Sequence, residues 1–168
     1  MAHPYSRNHL HLVFSTKDHR AFIKACLRDE LYRDLRLVAK DYGISIDLIG
    51  GTEDHVHILL QLPPKLAAAN LVCALKAKSS KWMNERGHVF AWQNSYGCFS
   101  VSVSNLERVK EYIRLQEEHH KTRDFLEEFN ALLRRHGIES NAESMFSRPS
   151  QTGGAGRPGP KGLPPLRA

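Results

Sequence analysis

Between residues 8 and 103 the spacing of apolar side chains alternates between the two-residue period of a strand and the three-to-four-residue period of a helix. The order of those switches restricts the fold to few arrangements. Residues 8–16 are rich in β-formers and read as a strand with faces His9, His11, Val13, Ser15 and Leu10, Leu12, Phe14, Thr16. Over 20–41, Ile23, Leu27, Leu31, Leu35 and Val38 recur at helical spacing, and Gly43 stands where a helix-ending glycine belongs. Residues 44–49 read as a second strand, 50–53 as a turn, and 55–62 as a third strand stopped by Pro63-Pro64. A second helix over 66–86 carries Leu71, Leu75 and Trp82 on or near its apolar stripe, before Gly87. Residues 90–92 and 97–103 predict a broken fourth strand or hairpin. Ser104 and Glu107 have the spacing of a capping box that would open a third helix running to about 120, with Leu106, Val109 and Ile113 as its apolar face. A last helix carries Phe125, Leu126, Phe129, Leu132 and Leu133. The order β-α-β-β-α-β followed by two helices predicts an α+β, ferredoxin-like fold: a four-stranded antiparallel sheet with helices on one face, plus C-terminal helices. Such a fold hosts many functions, so chemistry has to be read from residues.

Charge is a weaker guide than it looks. The 168 residues hold 24 Lys+Arg against 18 Asp+Glu, a net +6 that suggests an acidic partner. Four of those charges, Arg148, Arg157, Lys161 and Arg167, lie in residues 147–168, a segment with five Gly, five Pro and no acid. The rest is left at +2. That composition cannot bury enough apolar surface to offset its ordering entropy, so 1–140 is expected to form one folded domain and 141–168 a disordered basic tail. No apolar run reaches the roughly 18 residues of a membrane-spanning helix, and no secretory signal is visible at the N-terminus. Cys26, Cys73 and Cys98 are odd in number and widely spaced, which argues for reduced, buried thiols in a cytoplasmic protein.

Two groupings could carry chemistry. In a strand, His55 and His57 project to the same face, where two imidazoles can bind a divalent metal given a third ligand; a packed or solvated histidine pair is the plainer alternative. On the third helix, Tyr112 and Gln116 are one turn apart and share a face. A tyrosine is a poor nucleophile unless activated, and Gln116 offers a neutral oxygen suited to a hard cation; a core-edge tyrosine with a solvated glutamine is the alternative. The pair His9 and His11 lacks the Ser or Thr that a paired-histidine phosphoesterase needs after each histidine, and reads as structural or surface.

The succession His11-Leu12-Val13-Phe14-Ser15-Thr16-Lys17, Asp54-His55-Val56-His57-Ile58-Leu59-Leu60 and Val109-Lys110-Glu111-Tyr112-Ile113-Arg114-Leu115-Gln116 resembles the HUH tyrosine endonucleases. More narrowly, it resembles single-tyrosine transposases of the IS200/IS605 type, including the REP-associated tyrosine transposases. The likeness spans about residues 5–138, with Glu53 where many relatives have proline. It implies that His55, His57 and Gln116 hold Mg²⁺ or Mn²⁺ against a phosphate of single-stranded DNA carrying hairpin ends. Tyr112 would attack to give a 5′-phosphotyrosine and a free 3′-OH, which can later reverse the step. It also implies a bacterial protein working at the nucleoid, and a homodimer in which the tyrosine helix can serve the partner's histidines. His119 and His120, one turn on from Gln116, could also approach the metal, with surface histidines the plainer expectation. For DNA contact the basic side chains to test are Lys17, Arg20, Lys76, Lys78 and Lys81. An alternative is a domesticated hairpin-binding protein without strand transfer, against which the intact His55, His57, Tyr112 and Gln116 argue.

Overall fold

A computed structural model describes residues 5–140. The expected tail, 141–168, lies outside the described residues. The elements run β1 (His9–Ser15), α1 (Ala25–Asp41), β2 (Ile46–Gly51), β3 (His55–Gln61), α2 (Ala68–Glu85), β4 (Gly97–Val101), α3 (Leu106–Arg114), α4 (Gln116–His119) and α5 (Phe125–Arg135). The four strands are antiparallel in the order β2-β3-β1-β4, the arrangement the hydrophobic pattern predicts. Among the described residues no helix is long and apolar enough to cross a membrane.

Strand alternation gives the sheet two different faces. Leu10, Leu12 and Phe14 of β1 join Val56, Ile58 and Leu60 of β3 in the main core under α1 and α2. The opposite face is also covered. There Val13 and Phe99 pack against Phe125, Phe129, Leu132 and Leu133 of α5, so the C-terminal helices form a layer of their own. Burying side chains of that size contributes about 1.5–3 kcal/mol each, enough to fix α5 over the histidine-bearing face. Gly50 of β2 makes a second close contact there. A Cβ at Gly50 would stand 2.4 Å from the Ile113 carbonyl oxygen, so the missing side chain is what lets α3 lie directly on β2.

Several local expectations are corrected. Gly50 and Gly51 extend β2 rather than forming the turn. Residues 20–24 are not helical: Thr16 Oγ1 donates to the Arg20 and Asp54 carbonyls, and the Ile23 amide donates to the Glu53 carbonyl, tying this stretch to the start of β3. Phe90 and Trp92 enter the core, with Trp92 paired to β1 only through a single bridge at Thr16. Ser104 sits in a short 3₁₀ turn with its hydroxyl against that of Ser102 and does not cap α3. Asp124 does cap, accepting from the Glu127 amide at 2.8 Å. The third helix breaks at Leu115 instead of running on to 120. Cys26 and Cys73 are exposed and Cys98 half-buried, so the thiols are free but are not core residues.

Candidate active site

The site lies between the second face of the sheet and the C-terminal helices. Strand β3 supplies His55 and His57, both fully buried, and β1 places His11 beside them. Tyr112 comes from α3, Gln116 from α4, and Glu128 from α5. Sequence spacing groups His55 with His57 and Tyr112 with Gln116, and the two groups do meet. Gln116 Oε1 lies 3.0 Å from His55 Nε2, and the Tyr112 ring stands edge-on to His57 with centroids 5.8 Å apart. Tyr112 therefore sits with the histidines of its own chain.

Glu128, which belongs to neither group, ties the cluster together. One carboxylate oxygen accepts from the Tyr112 hydroxyl and from Gln116 Nε2 at 2.9 Å. The other accepts from His120 Nε2 at 2.7 Å and lies 3.4 Å from His57 Nε2 and 3.6 Å from His55 Nε2. Burial alone would raise this carboxyl, but hydrogen bonds from His120 and the surrounding groups hold it well below the carboxylate range. The sequence carries one signal for it: Glu128 falls inside the apolar stripe of Phe125, Phe129 and Leu132, where a solvated side chain does not belong. His120, expected at the surface, is instead half-buried; its ring lies 4.4 Å from that of His55. Burial works against its charge, yet the Glu128 carboxylate raises its pKa.

The imidazoles are oriented from behind. His55 Nδ1 donates to Asp54 Oδ1 at 2.6 Å, and that carboxylate also accepts from Thr52 Oγ1 at 2.7 Å. His57 Nδ1 is 2.8 Å from His11 Nε2, and the two rings stack. His11 is thus part of the site and not a bystander. Desolvation, then the neighbouring histidine, lowers His11 well below its ordinary value. Burial pushes His57 down to about 4, so it is neutral near pH 7 and can offer a lone pair. Its Nε2 is buried with no hydrogen-bond partner among the described residues. Ligand atoms of His55, His57 and Glu128 all lie within 4.8 Å of one another and could hold a metal ion. Burial first, then the Glu128 charge, pushes the Tyr112 hydroxyl far above its ordinary value, so it is protonated.

The five basic side chains singled out for DNA fare differently. Lys76, Lys78 and Lys81 belong to α2, which packs on the sheet face opposite the histidines. Lys76 donates to the carbonyls of Gln93, Asn94 and Ser95 at 2.8, 3.1 and 2.9 Å and anchors that loop. Lys78 pairs with Asp41 at 2.9 Å and Lys81 with Glu85 at 3.6 Å, both exposed. Lys17 and Arg20 line a small cleft with Phe22 and Val89.

A sequence profile described as transposase, IS200-like, matches residues 4–116. That span includes His55, His57, Tyr112 and Gln116 and ends before His120 and Glu128. The ISDra2 transposase TnpA of Deinococcus radiodurans is 28% identical over 118 residues, covering 64% of this chain and 83% of that protein. The transposase for insertion sequence element IS200 of Salmonella typhimurium is 28% identical over 128 residues, 72% of this chain and 84% of that protein. A crystal structure from Deinococcus radiodurans, assigned as a transposase, superposes with a TM-score of 0.55 at 25% identity, covering 69% of this chain and 96% of the other. A REP-associated tyrosine transposase solved bound to a REP hairpin superposes with a TM-score of 0.57 over 71% of this chain and 73% of its own; at 14% identity it shares the fold.

Proposed function

The chain belongs to the transposase IS200-like family, and from that premise we propose that it cuts and rejoins single-stranded DNA at hairpin ends through Tyr112, with Mg²⁺ or Mn²⁺ held by His55 and His57. The observation that carries the reading is the convergence of a tyrosine hydroxyl, two imidazoles, a carboxylate and an amide oxygen on one buried point. The residues fit a divalent ion: His57 Nε2 is a buried ring nitrogen with no hydrogen-bond partner among the described residues, and Glu128 and Gln116 add the oxygen ligands that harder cations favour. When bound, such an ion supplies positive charge against the non-bridging oxygens of the scissile phosphate and against Glu128.

The chain's own residues do the rest. Asp54 and His11 engage the Nδ1 atoms of His55 and His57, so that both Nε2 atoms are turned into the site. As Tyr112 Oη forms the new bond to phosphorus it gives up its proton to solvent, the bond to O3′ breaks, and the departing oxygen takes a proton from solvent and leaves as a hydroxyl, so no proton is gained or lost overall. The phosphotyrosine ester conserves the bond energy, so a second 3′-OH can reverse the step and join strands. In the resting state the tyrosine proton stays on Oη, directed at Glu128. We take residues 1–140 as the catalytic unit, 141–168 as an appended basic segment, and the working form as a homodimer, each subunit performing one cut.

The test is a denaturing gel with the labelled single-stranded hairpin from the gene's own flanks and Mn²⁺. A covalent protein–DNA adduct that disappears in Tyr112→Phe is the expected result. Cleavage that persists in Tyr112→Phe would replace the reading with that of a metal-dependent hydrolase.

A further inference from the structure

Two clefts open on either side of the buried cluster, and they differ in charge. One, of about 700 Å³, is bordered by His120 and Asp54 and lined by five carboxylates against three cations. The other, of about 530 Å³, lies between α3 and α5 beside Tyr112. Its charged lining is Arg108 and Arg135, with no acid, and its walls include Val109 and Leu132. Both arginines are exposed, and neither makes an ion pair among the described residues. A polyanion is repelled by the first cleft and drawn to the second.

The second cleft is also built for a base. Its volume falls in the range of about 300–1,000 Å³ that small-ligand sites span, a nucleotide's scale and not a duplex's. The His136 ring lines it, stacked on Phe99 with centroids 4.5 Å apart, and His11 and Tyr112 close its inner end. A basic groove with flat rings along it is the arrangement that holds single strands without reading sequence.

We infer that the α3–α5 cleft seats a nucleotide of the single DNA strand next to the phosphate attacked by Tyr112, with Arg108 and Arg135 contacting the flanking backbone phosphates and His136 stacking on the base. The inference rests on the proposed reaction at Tyr112 and adds a binding subsite to it. The α5 wall of this cleft lies beyond residue 116, outside the segment matched by the family profile.

The experiment measures binding of fluorescein-labelled oligothymidylate to the full chain in chelator across a salt series, for wild type, Arg108→Gln, Arg135→Gln and the pair. Removing one arginine–phosphate pairing reduces the slope of log K against log salt by about 0.7 for a single strand, so the double variant should fall short of wild type by about 1.4. His136→Ala should weaken binding with the slope unchanged. Tyr112 adduct formation by wild type on the hairpin is read in parallel. If the arginine variants keep the wild-type slope while wild type forms the adduct, the subsite is refuted and the reaction stands. If wild type neither binds oligothymidylate nor forms the adduct, both fall.

Discussion

Replacing Glu128 with glutamine is the most informative single perturbation, because this carboxylate both gathers buried hydrogen-bond donors and stands in the group that could hold a metal. In the metal-free protein its oxygens receive three donors: the Tyr112 hydroxyl, Gln116 Nε2 at 2.9 Å and His120 Nε2 at 2.7 Å. Glutamine is nearly isosteric but has one acceptor oxygen and one amide donor. Turned either way, it presents its NH₂ to a donor, and the charge that raises the His120 pKa is gone. At least one charge-assisted hydrogen bond disappears, worth about 1.5–3 kcal/mol. Urea unfolding in chelator should therefore show a destabilisation of about 1.5–3 kcal/mol at an unchanged m-value.

The second arm adds Mn²⁺. A ligand present at about a hundred times its dissociation constant stabilises a protein by about 2.7 kcal/mol. If losing the Glu128 oxygen weakens the site tenfold, the same Mn²⁺ concentration gives the variant only about 1.4 kcal/mol. Isothermal titration with Mn²⁺ checks that affinity directly. Wild-type stability in chelator would show that the carboxylate does not gather these donors. An undiminished Mn²⁺ effect would remove it from the metal site.

His11→Ala should lower Mn²⁺ affinity about 10–100-fold, the usual cost of losing a group that orients a ligand imidazole, with circular dichroism unchanged; titration calorimetry reads it. Gly50→Ala should cut adduct formation by driving α3 away from β2, since the new methyl would meet the Ile113 backbone adjoining Tyr112; Gly43→Ala, where nothing lies within 4 Å but φ is +70°, controls for stability loss without that clash. Stability in chelator should decline as pH falls from about 6.5 towards 4: burial lowers the folded-state pKa of His57 to about 4, so the unfolded chain takes up the proton first. At about 1.4 kcal/mol per unit the full effect approaches about 3 kcal/mol, and a flat unfolding profile over that window would contradict a neutral buried His57.

Most of the framework is legible in local pattern. Alternating periods in β1, α1, β2, β3 and α2 follow from which residues must leave water, and the same alternation puts His55 and His57 on one face of β3. One-turn spacing likewise sets Tyr112 beside Gln116, and the two still meet the histidines although the helix breaks at Leu115. Spacing of this kind is local, fixed by backbone geometry within a few residues. Everything that depends on one element reaching another comes from packing instead. Glu128 is 71 positions beyond His57 in the chain, and His11 is 46 before it. They meet because β1 pairs with β3 and because Phe125, Phe129, Leu132 and Leu133 hold α5 against the opposite face. The lysines of α2 are plausible DNA contacts by charge alone, but the sheet separates them from the histidines. Of the two arginines that flank Tyr112, Arg108 is one turn before it on α3, but Arg135 arrives on α5, whose approach no local pattern encodes. Packing of apolar faces, which is non-directional along the sequence, decides which polar groups become neighbours.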